Sequence, residues 1–109
     1  MIRGDVYRIK PGRDPRGHEQ AGGRYGVVVQ DERLPLSTVL VVPTSTSCSP
    51  AVYRPVVHVA GQDTRAMVEQ LSVCDPERRF GERVGHLTLA ELEAIDTALR
   101  LILALPSTQ

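Results

Sequence analysis

The chain has 109 residues, a length that supports one domain built around one modest hydrophobic core. Its hydrophobic fraction of 41% is typical of globular proteins and excludes disorder as the default interpretation. Because 13 basic and 13 acidic residues cancel, net charge gives no reason to expect nonspecific nucleic-acid binding. We therefore expect a single domain over residues 1–109.

The first half of the chain predicts three strands and one long loop. Residues Asp5–Ile9 alternate apolar and polar side chains, which indicates a half-buried first strand. Residues Lys10–Gly23 combine prolines, glycines and charges and predict an exposed loop of a length that is often functional. Two valine-rich runs, Arg24–Gln30 and Thr38–Val42, are typical of buried strands. Between them, Asp31–Ser37 predicts the turn of an antiparallel hairpin.

The second half begins with shorter and less regular segments. Residues Tyr53–Val59 predict a fourth strand, and Gly61–Asp63 predicts a turn after it. Residues Arg65–Val73 predict a fifth strand, although their composition would equally suit a helix. Residues Asp75–Phe80 predict one helical turn, capped by its first residue and followed by a proline in the first helical position.

The last element is the clearest, and it is a helix. Thr88 and Glu91 form a capping box, and Leu87 can pack against Leu92 as a hydrophobic staple. Pro106 ends the helix. One face carries apolar residues at helical spacing, namely Leu92, Ile95, Leu99, Ile102 and Leu103. Strands followed by a helix predict a small α+β domain whose short antiparallel sheet curls into a barrel.

Two neighbouring strand ends carry residues that suit a phosphate site. Arg24 stands where the glycine-bearing loop enters the second strand, and its guanidinium can donate two parallel hydrogen bonds to phosphate oxygens. The third strand leads into Pro43-Thr44-Ser45-Thr46-Ser47, which places hydroxyl groups at its end. The arginine and the hydroxyls together form a candidate site.

Several segments of the chain resemble the MazF/PemK toxins of bacterial type II toxin–antitoxin systems. The matching segments, in the same order and at compatible spacing, are Arg3-Gly4-Asp5-Val6-Tyr7, Glu19-Gln20-Ala21-Gly22 with Arg24, Val41-Val42-Pro43-Thr44-Ser45, Glu69-Gln70-Leu71 and Gly85-His86-Leu87 before the terminal helix. The resemblance covers almost the whole chain.

The resemblance implies an SH3-like barrel with a C-terminal helix, a homodimer and a sequence-specific endoribonuclease that needs neither metal nor cofactor. Such an enzyme cleaves single-stranded RNA by attack of the 2′-hydroxyl and leaves 2′,3′-cyclic phosphate and 5′-hydroxyl ends. The implied partner is a cognate antitoxin, with a disordered segment that folds across the active groove.

The resemblance also assigns catalytic roles to two residues. Arg24 is expected to stabilise charge on the phosphate, and the Thr44 hydroxyl to hydrogen-bond a phosphate oxygen. Ser45 is an auxiliary candidate. The alternatives are a surface salt bridge for Arg24 and, for Thr44, a hydroxyl that bonds its own turn.

Further residues are candidates for RNA binding. Glu19 and Gln20 could hydrogen-bond bases or orient the loop, and Gln70 matches a family position that contacts substrate. His18 is the histidine nearest the predicted site and a candidate proton shuttle. Tyr25 stands where the family usually has proline, and His18 where it often has serine, so these two positions bear on the target sequence.

Two other functions compete with RNA cleavage. The related CcdB toxins are implied to share this fold and to jam DNA gyrase by binding alone. A protein that only binds has no need of a phosphate-stabilising pair, so Arg24 and Thr44 argue against that function. A catalytically inactive RNA- or partner-binding module is the other alternative, and Tyr25 in place of proline keeps it open.

The cysteines and the N-terminus bear on location. Cys48 and Cys74 lack the spacing of a zinc site or a redox pair. The first residues have no apolar signal-peptide core, and no apolar stretch approaches the length of a membrane span. We therefore expect reduced thiols in a cytoplasmic protein.

Overall fold

The structure, a computed structural model, describes residues 1–10 and 24–106. In chain order, the described elements are β1 (Asp5–Ile9), β2 (Arg24–Val28), β3 (Val39–Ser45), β4 (Val56–Val59), β5 (Gln62–Ala66), a 3₁₀ turn (Val68–Gln70), β6 (Ser72–Cys74), α1 (Pro76–Arg79), β7 (Phe80–His86) and α2 (Leu89–Leu103). The strands pair in the order β4-β5-β3-β2-β1-β7, and β6 also pairs with β3. Because every pairing is antiparallel and the helix follows the sheet, the predicted α+β class is confirmed.

Strand β3 is shared between two parts of the sheet. Along one edge it pairs with β2. Along the other edge its first half, from Val39 to Val41, pairs with β6, and its end, at Thr44 and Ser45, pairs with β5. Between the two partners the Met67 amide donates to the Pro43 carbonyl oxygen at 2.8 Å. The sheet therefore divides beside the end of β3.

Two apolar clusters cover the two faces of the sheet. Successive residues of a strand point to opposite faces, so neighbouring valines of β2 and β3 enter different clusters. The larger cluster includes Val27 and Val42 and packs against Ile95 and Ala98 of α2. The smaller cluster contains Val28, Val39, Val41 and Cys74 and is extended by Tyr7, Ile9 and Phe80. We call the side of the larger cluster the helix face and the other side the open face.

Several predicted elements are confirmed at their ends. Strand β1 has the predicted bounds. The Asp75 carboxylate accepts from the Glu77 amide and caps α1. The capping box of α2 is present, since Thr88 Oγ1 accepts from the Glu91 amide at 3.2 Å and Glu91 Oε1 accepts from the Thr88 amide at 2.8 Å. The helix ends at Leu103, before Ala104 in the left-handed conformation and Pro106.

Two predictions for the middle of the chain are wrong. The predicted fifth strand, Arg65–Val73, is divided into the end of β5, a 3₁₀ turn and most of β6. The predicted turn at Gly61–Asp63 lies one residue earlier, because Ala60 and Gly61 both have positive φ and form the two-residue loop between Val59 and Gln62. Gln62 and Asp63 belong to β5.

Strand β7 was not predicted. Its seven residues, Phe80–His86, include two glycines and three polar or charged residues and lack a clear alternation. Strand β1 supplies the partner, with Asp5 opposite His86 and Ile9 opposite Phe80. Long-range pairing therefore decides this strand.

Cys48 and Cys74 are free thiols, as predicted, and burial raises the pKa of the Cys74 thiol. Neither helix in the described part of the chain has both the length and the apolar character needed to cross a bilayer.

Candidate phosphate-binding site

Arg24 begins β2 and is held by the β1–β2 ladder. It lies directly opposite Ile9, and its side chain is half-buried. Residues directly opposite one another in a ladder point to the same face, so Arg24 leaves the sheet on the open face beside Ile9. The described ion pairs include none in which a carboxylate lies within 4.0 Å of Arg24.

A cavity of about 280 Å³ lies where β2, β3 and β5 meet. Its lining consists of Arg24, Tyr25, Thr44, Ser45, Thr46, Ser47, Val59, Gln62 and Thr64. We call it the hydroxyl cavity, because most of the polar groups at its surface are hydroxyls. Within the described residues no carboxylate lines it, and the arginine is its only charged group. Such a surface favours an anion.

Thr44 forms part of the cavity floor and is only 5% exposed. It follows Val42 on the helix face of β3, and its hydroxyl donates to the Tyr25 carbonyl oxygen at 3.5 Å. A hydroxyl has one proton, so donation to a phosphate oxygen requires the Thr44 hydroxyl to turn away from this long hydrogen bond. The hydroxyl therefore fastens β3 to β2 and also faces the cavity.

Ser45 occupies the opposite face of β3. Gly26 pairs with Pro43, and the same register continued by two residues sets Ser45 opposite Arg24. Its hydroxyl accepts from the Ser47 amide at 3.2 Å, which closes a tight turn at the strand end. By the pleat alone, Ser45 is thus the hydroxyl on the same face as Arg24.

Tyr25 of β2 lines the cavity, and its side chain contacts a second cation, Arg8. The Arg8 guanidinium carbon lies 5.3 Å from the centre of the Tyr25 ring, and Arg8 Nη2 donates to the Tyr25 hydroxyl at 3.3 Å. This contact fixes the orientation of the tyrosine ring at the hydroxyl cavity. A tyrosine held in this way can stack on a base.

One described residue of the predicted RNA-binding set, Gln70, is not brought together with Arg24. Gln70 is exposed on the 3₁₀ turn and does not line the hydroxyl cavity. Beside it, Glu69 accepts from Arg54 at 2.7 Å, and this hydrogen bond lowers the pKa of the Glu69 carboxyl. Three further predicted residues, His18, Glu19 and Gln20, lie outside the described residues.

Two residues of the cavity were missed by the sequence reasoning. Gln62 and Thr64 alternate along β5 and present their side chains to the cavity. Thr64 is only 6% exposed, which is unusual for a hydroxyl residue on so short a strand. Their period-two spacing is a signal in the sequence, but Gln62 falls in the predicted turn Gly61–Asp63 and Thr64 falls between that turn and the predicted fifth strand. Within the described residues, no group of three or more His, Cys, Asp or Glu side chains is arranged to hold a metal ion.

A family model described as "PemK-like, MazF-like toxin of type II toxin-antitoxin system" matches residues 2–103. A protein of Mycobacterium tuberculosis (strain H37Rv) named as a candidate toxin is 42% identical over 105 residues, which cover 96% of this chain and 99% of that protein. These matches agree with the resemblance drawn from the sequence.

Solved structures of the same fold include a mycobacterial endoribonuclease in complex with its cognate antitoxin. It superimposes with a TM-score of 0.78 at 20% identity, covering 99% of both chains. MazF from Deinococcus radiodurans superimposes with a TM-score of 0.74 at 16% identity, covering 95% of this chain and 96% of that one. The predicted MazF-type barrel with a C-terminal helix is thereby confirmed.

Proposed function

Because this chain belongs to the PemK-like, MazF-like toxins of type II toxin–antitoxin systems, we propose that it is a metal-independent, sequence-specific endoribonuclease acting on single-stranded RNA. The observation that carries the proposal is the hydroxyl cavity, in which one arginine stands among hydroxyl groups and no described carboxylate. RNA supplies its own nucleophile in the 2′-hydroxyl. The protein must therefore bind the phosphate and stabilise the charge that develops on it.

The reaction forms a bond from the 2′-oxygen to phosphorus and breaks the bond from phosphorus to the 5′-oxygen. The proton of the 2′-hydroxyl leaves with a base, and a proton reaches the departing 5′-oxygen. The products are a 2′,3′-cyclic phosphate and a 5′-hydroxyl. Arg24 donates to the nonbridging oxygens, and Thr44 and Ser45 provide further hydrogen bonds at the end of β3. A guanidinium stays protonated near neutral pH, so Arg24 acts as an electrostatic group.

Among the residues proposed to approach the base and the sugar, Tyr25 rests on its position at the cavity, and the others rest on the sequence. Tyr25 stacks on a base beside the cavity, while Glu19, Gln20 and Gln70 donate or accept hydrogen bonds at base edges. His18 carries the proton between the 2′-hydroxyl and solvent.

We further propose that the protein acts as a homodimer and that a cognate antitoxin neutralises it. Support for the antitoxin comes from the family itself and from the mycobacterial relative solved as such a complex. A disordered antitoxin segment that folds over the hydroxyl cavity would exclude RNA from it. The measurement is RNA cleavage with and without the antitoxin that co-purifies with this protein from its native host. Cleavage that persists at an equimolar amount of that antitoxin would contradict the proposed neutralisation.

The proposed activity is tested with purified protein, a long single-stranded RNA and EDTA, and the cut ends are mapped by primer extension. We expect discrete cuts with 5′-hydroxyl ends. Arg24→Ala should lower the cleavage rate roughly a hundredfold to a thousandfold. Arg24→Lys should recover little of that loss, because lysine keeps the charge without the paired donors.

The matched control is Arg78→Ala, which removes an exposed arginine of α1 outside the hydroxyl cavity and should cleave like the wild type. Intact RNA after incubation with folded wild-type protein would overturn the proposal. Equal cutting by the wild type and Arg24→Ala would overturn the assigned site.

A further inference from the structure

Arg24 separates the hydroxyl cavity from a second cavity on the open face of the sheet. The second cavity has a volume of about 140 Å³, and Arg24 lines both. Its floor is formed by Ile9, Gly26, Val41 and Pro43. We call it the apolar cavity. Arg24 and Gly26 are two residues apart on one face of β2, so their Cα atoms are about 7 Å apart.

Gly26 lets the Ile9 side chain pack closely over β2. A Cβ atom at residue 26 would lie 3.0 Å from Ile9 Cγ1 and 3.1 Å from Ile9 Cδ1, so Ile9 occupies the space above this buried glycine. The same Cβ atom would lie 3.7 Å from Val41 Cβ. Ile9 and Val41 therefore give this part of the cavity an aliphatic lining. An apolar ring gains from contact with such a surface, whereas a hydrated anion gains nothing from it.

The rim of the apolar cavity is cationic. Lys10 and Arg79 line it together with Arg24, and within the described residues no carboxylate does. The Lys10 amide donates to the Arg79 carbonyl oxygen at 2.7 Å, and Arg79 Nε donates to the Lys10 carbonyl oxygen at 2.9 Å. These reciprocal bonds fix α1 against the end of β1. They hold two cations at the rim across from Arg24.

We propose that the apolar cavity binds the base of the nucleotide adjacent to the phosphate held at Arg24. The proposal rests on the proposed function for that phosphate. A nucleotide combines an apolar ring with negative charge, and the cavity combines an aliphatic lining with a cationic rim. Because Arg24 lines both cavities, one nucleotide strand can place its phosphate in the hydroxyl cavity and its base in the apolar cavity. This arrangement favours a nucleotide over an apolar peptide. The cavity is thus a specificity pocket beside the cleaved bond.

The proposal is tested by NMR titration of the ¹⁵N-labelled protein. The probes are the four nucleoside monophosphates and, separately, inorganic phosphate, each at millimolar concentration. At least one nucleotide should shift the amide signals of Val41, Val73 and Cys74, which line the apolar cavity and not the hydroxyl cavity. Inorganic phosphate should shift signals around the hydroxyl cavity and leave those three unchanged. If no nucleotide shifts them, or if phosphate shifts them equally, the proposal is wrong, and a peptide of the antitoxin becomes the occupant to test.

Ser72→Leu provides the matching variant. Ser72 is exposed, lines the apolar cavity and lies opposite Val41 in the ladder, so a leucine there narrows the opening without entering the buried clusters. We expect at least tenfold weaker nucleotide binding and an altered base preference next to the cut. Ser37→Leu makes the same change at an exposed serine that does not line either cavity and should behave as the wild type.

The outcomes separate the two proposals. Wild-type protein that cleaves RNA while Ser72→Leu keeps its nucleotide affinity and base preference would overturn the pocket and leave the nuclease in place. Nucleotide binding at Val41, Val73 and Cys74 in a protein that never cuts RNA would overturn the nuclease and leave the pocket.

Discussion

At the scale of single residues, the end of β3 shows how one position changes the role of a hydroxyl. Thr44 is buried on the helix face and bonded to the Tyr25 carbonyl oxygen, whereas Ser45 is half-buried on the face of Arg24. Burial gives Thr44 a structural role in addition to its proposed catalytic one. The two substitutions should therefore differ in what they disturb.

Ser45→Ala should lower RNA cleavage about tenfold, because it removes one hydrogen bond to a charged group. It should lower the melting temperature only slightly, because the hydrogen bond from the Ser47 amide that it also removes is exposed. Thr44→Val should lower both the cleavage rate and the melting temperature, since valine has nearly the volume of threonine but lacks the hydroxyl that bonds the Tyr25 carbonyl oxygen. Thr44→Ser, which restores the hydroxyl, is the control and should recover part of the rate. Cleavage kinetics and thermal unfolding are the measurements, and a stable, fully active Thr44→Val would refute the catalytic role.

The buried Asp5 carboxylate offers a prediction about stability and pH. Burial alone would raise the pKa of this carboxyl, but hydrogen bonds from the Ile2 amide, His86 and Arg83 outweigh it and lower the pKa to about 2. A lowered pKa means that the carboxylate stabilises the fold above its unfolded pKa of 3.8, and that this contribution is lost as the pH falls toward 2. The shift corresponds to about 2 kcal/mol.

Asp5→Asn should therefore lower the free energy of unfolding by about 2 kcal/mol at pH 7, because an amide cannot accept from donors on both sides. The difference from the wild type should shrink as the pH approaches 2, where the wild-type carboxyl is itself protonated. Urea unfolding followed across this pH range measures it. Asp63→Asn, at an exposed aspartate, is the control. A difference that is constant down to pH 2 would contradict the electrostatic cause.

That Arg24 and the hydroxyls of β3 lie close together could be predicted from sequence, because each stands at the end of a valine-rich strand, where local pattern is informative. Gln62 and Thr64 could not, because their place in the cavity depends on the pairing of β5 with β3 across an intervening loop. The buried hydrogen bond of Thr44 depends on register in the same way.

At the scale of elements, local signals predicted the first strand and the last helix. β1 is rich in residues that favour strands, and α2 carries its own capping box and apolar face. The strands that were missed or divided, β5, β6 and β7, contain few β-branched residues in alternation and take their conformation from β1 and β3. Sequence pattern therefore predicts the elements with strong local signals and fails where pairing with a partner strand determines the conformation.

Glu91 joins α2 to the sheet. One of its carboxylate oxygens accepts from the Thr88 amide, and the other accepts from the His58 amide of β4 at 2.6 Å. Burial by itself would raise the pKa of the Glu91 carboxyl, but the hydrogen bonds from Thr88 and His58 lower it. A capping residue thus also fixes the position of the helix against β4.

Glu91→Gln should lower the free energy of unfolding by about 1–2 kcal/mol, since an amide group then faces one of the two backbone donors. Glu93→Gln, at an exposed position two residues along the same helix, should change it by less than about 0.5 kcal/mol. Urea unfolding at neutral pH measures both. Equal effects of the two substitutions would show that the bond to β4 does not stabilise the fold.

At the scale of the whole molecule, the proposed site lies where the sheet divides. The end of β3 leaves β6 and joins β5 at Thr44 and Ser45, and the hydroxyl cavity opens beside this junction. Arg24 reaches the same place from the start of β2. The apolar clusters on the two faces hold these strands in fixed positions, so the site needs no large rearrangement to bind a phosphate.

The last turn of α2 favours association of two copies. The helix buries Ile95 and Ala98 and half-buries Leu99, whereas the apolar residues of its last turn and Leu105 just after it are exposed. The exposed fractions are 57% for Leu101, 37% for Ile102, 50% for Leu103 and 52% for Leu105. A monomeric protein rarely exposes so many neighbouring leucine and isoleucine side chains. An isologous dimer covers the same patch on both copies, so one substitution there changes the interface at two places.

Leu101→Glu should therefore weaken dimerisation by about a hundredfold or more, because it places two carboxylates in an apolar interface. Sedimentation at micromolar concentration should give a dimer for the wild type and a monomer for the variant, with unchanged circular dichroism. Val52→Glu is the matched control, since Val52 is 84% exposed in the loop before β4 and should leave the dimer intact. A monomeric wild type would contradict the dimer, and a dimeric Leu101→Glu would place its interface elsewhere.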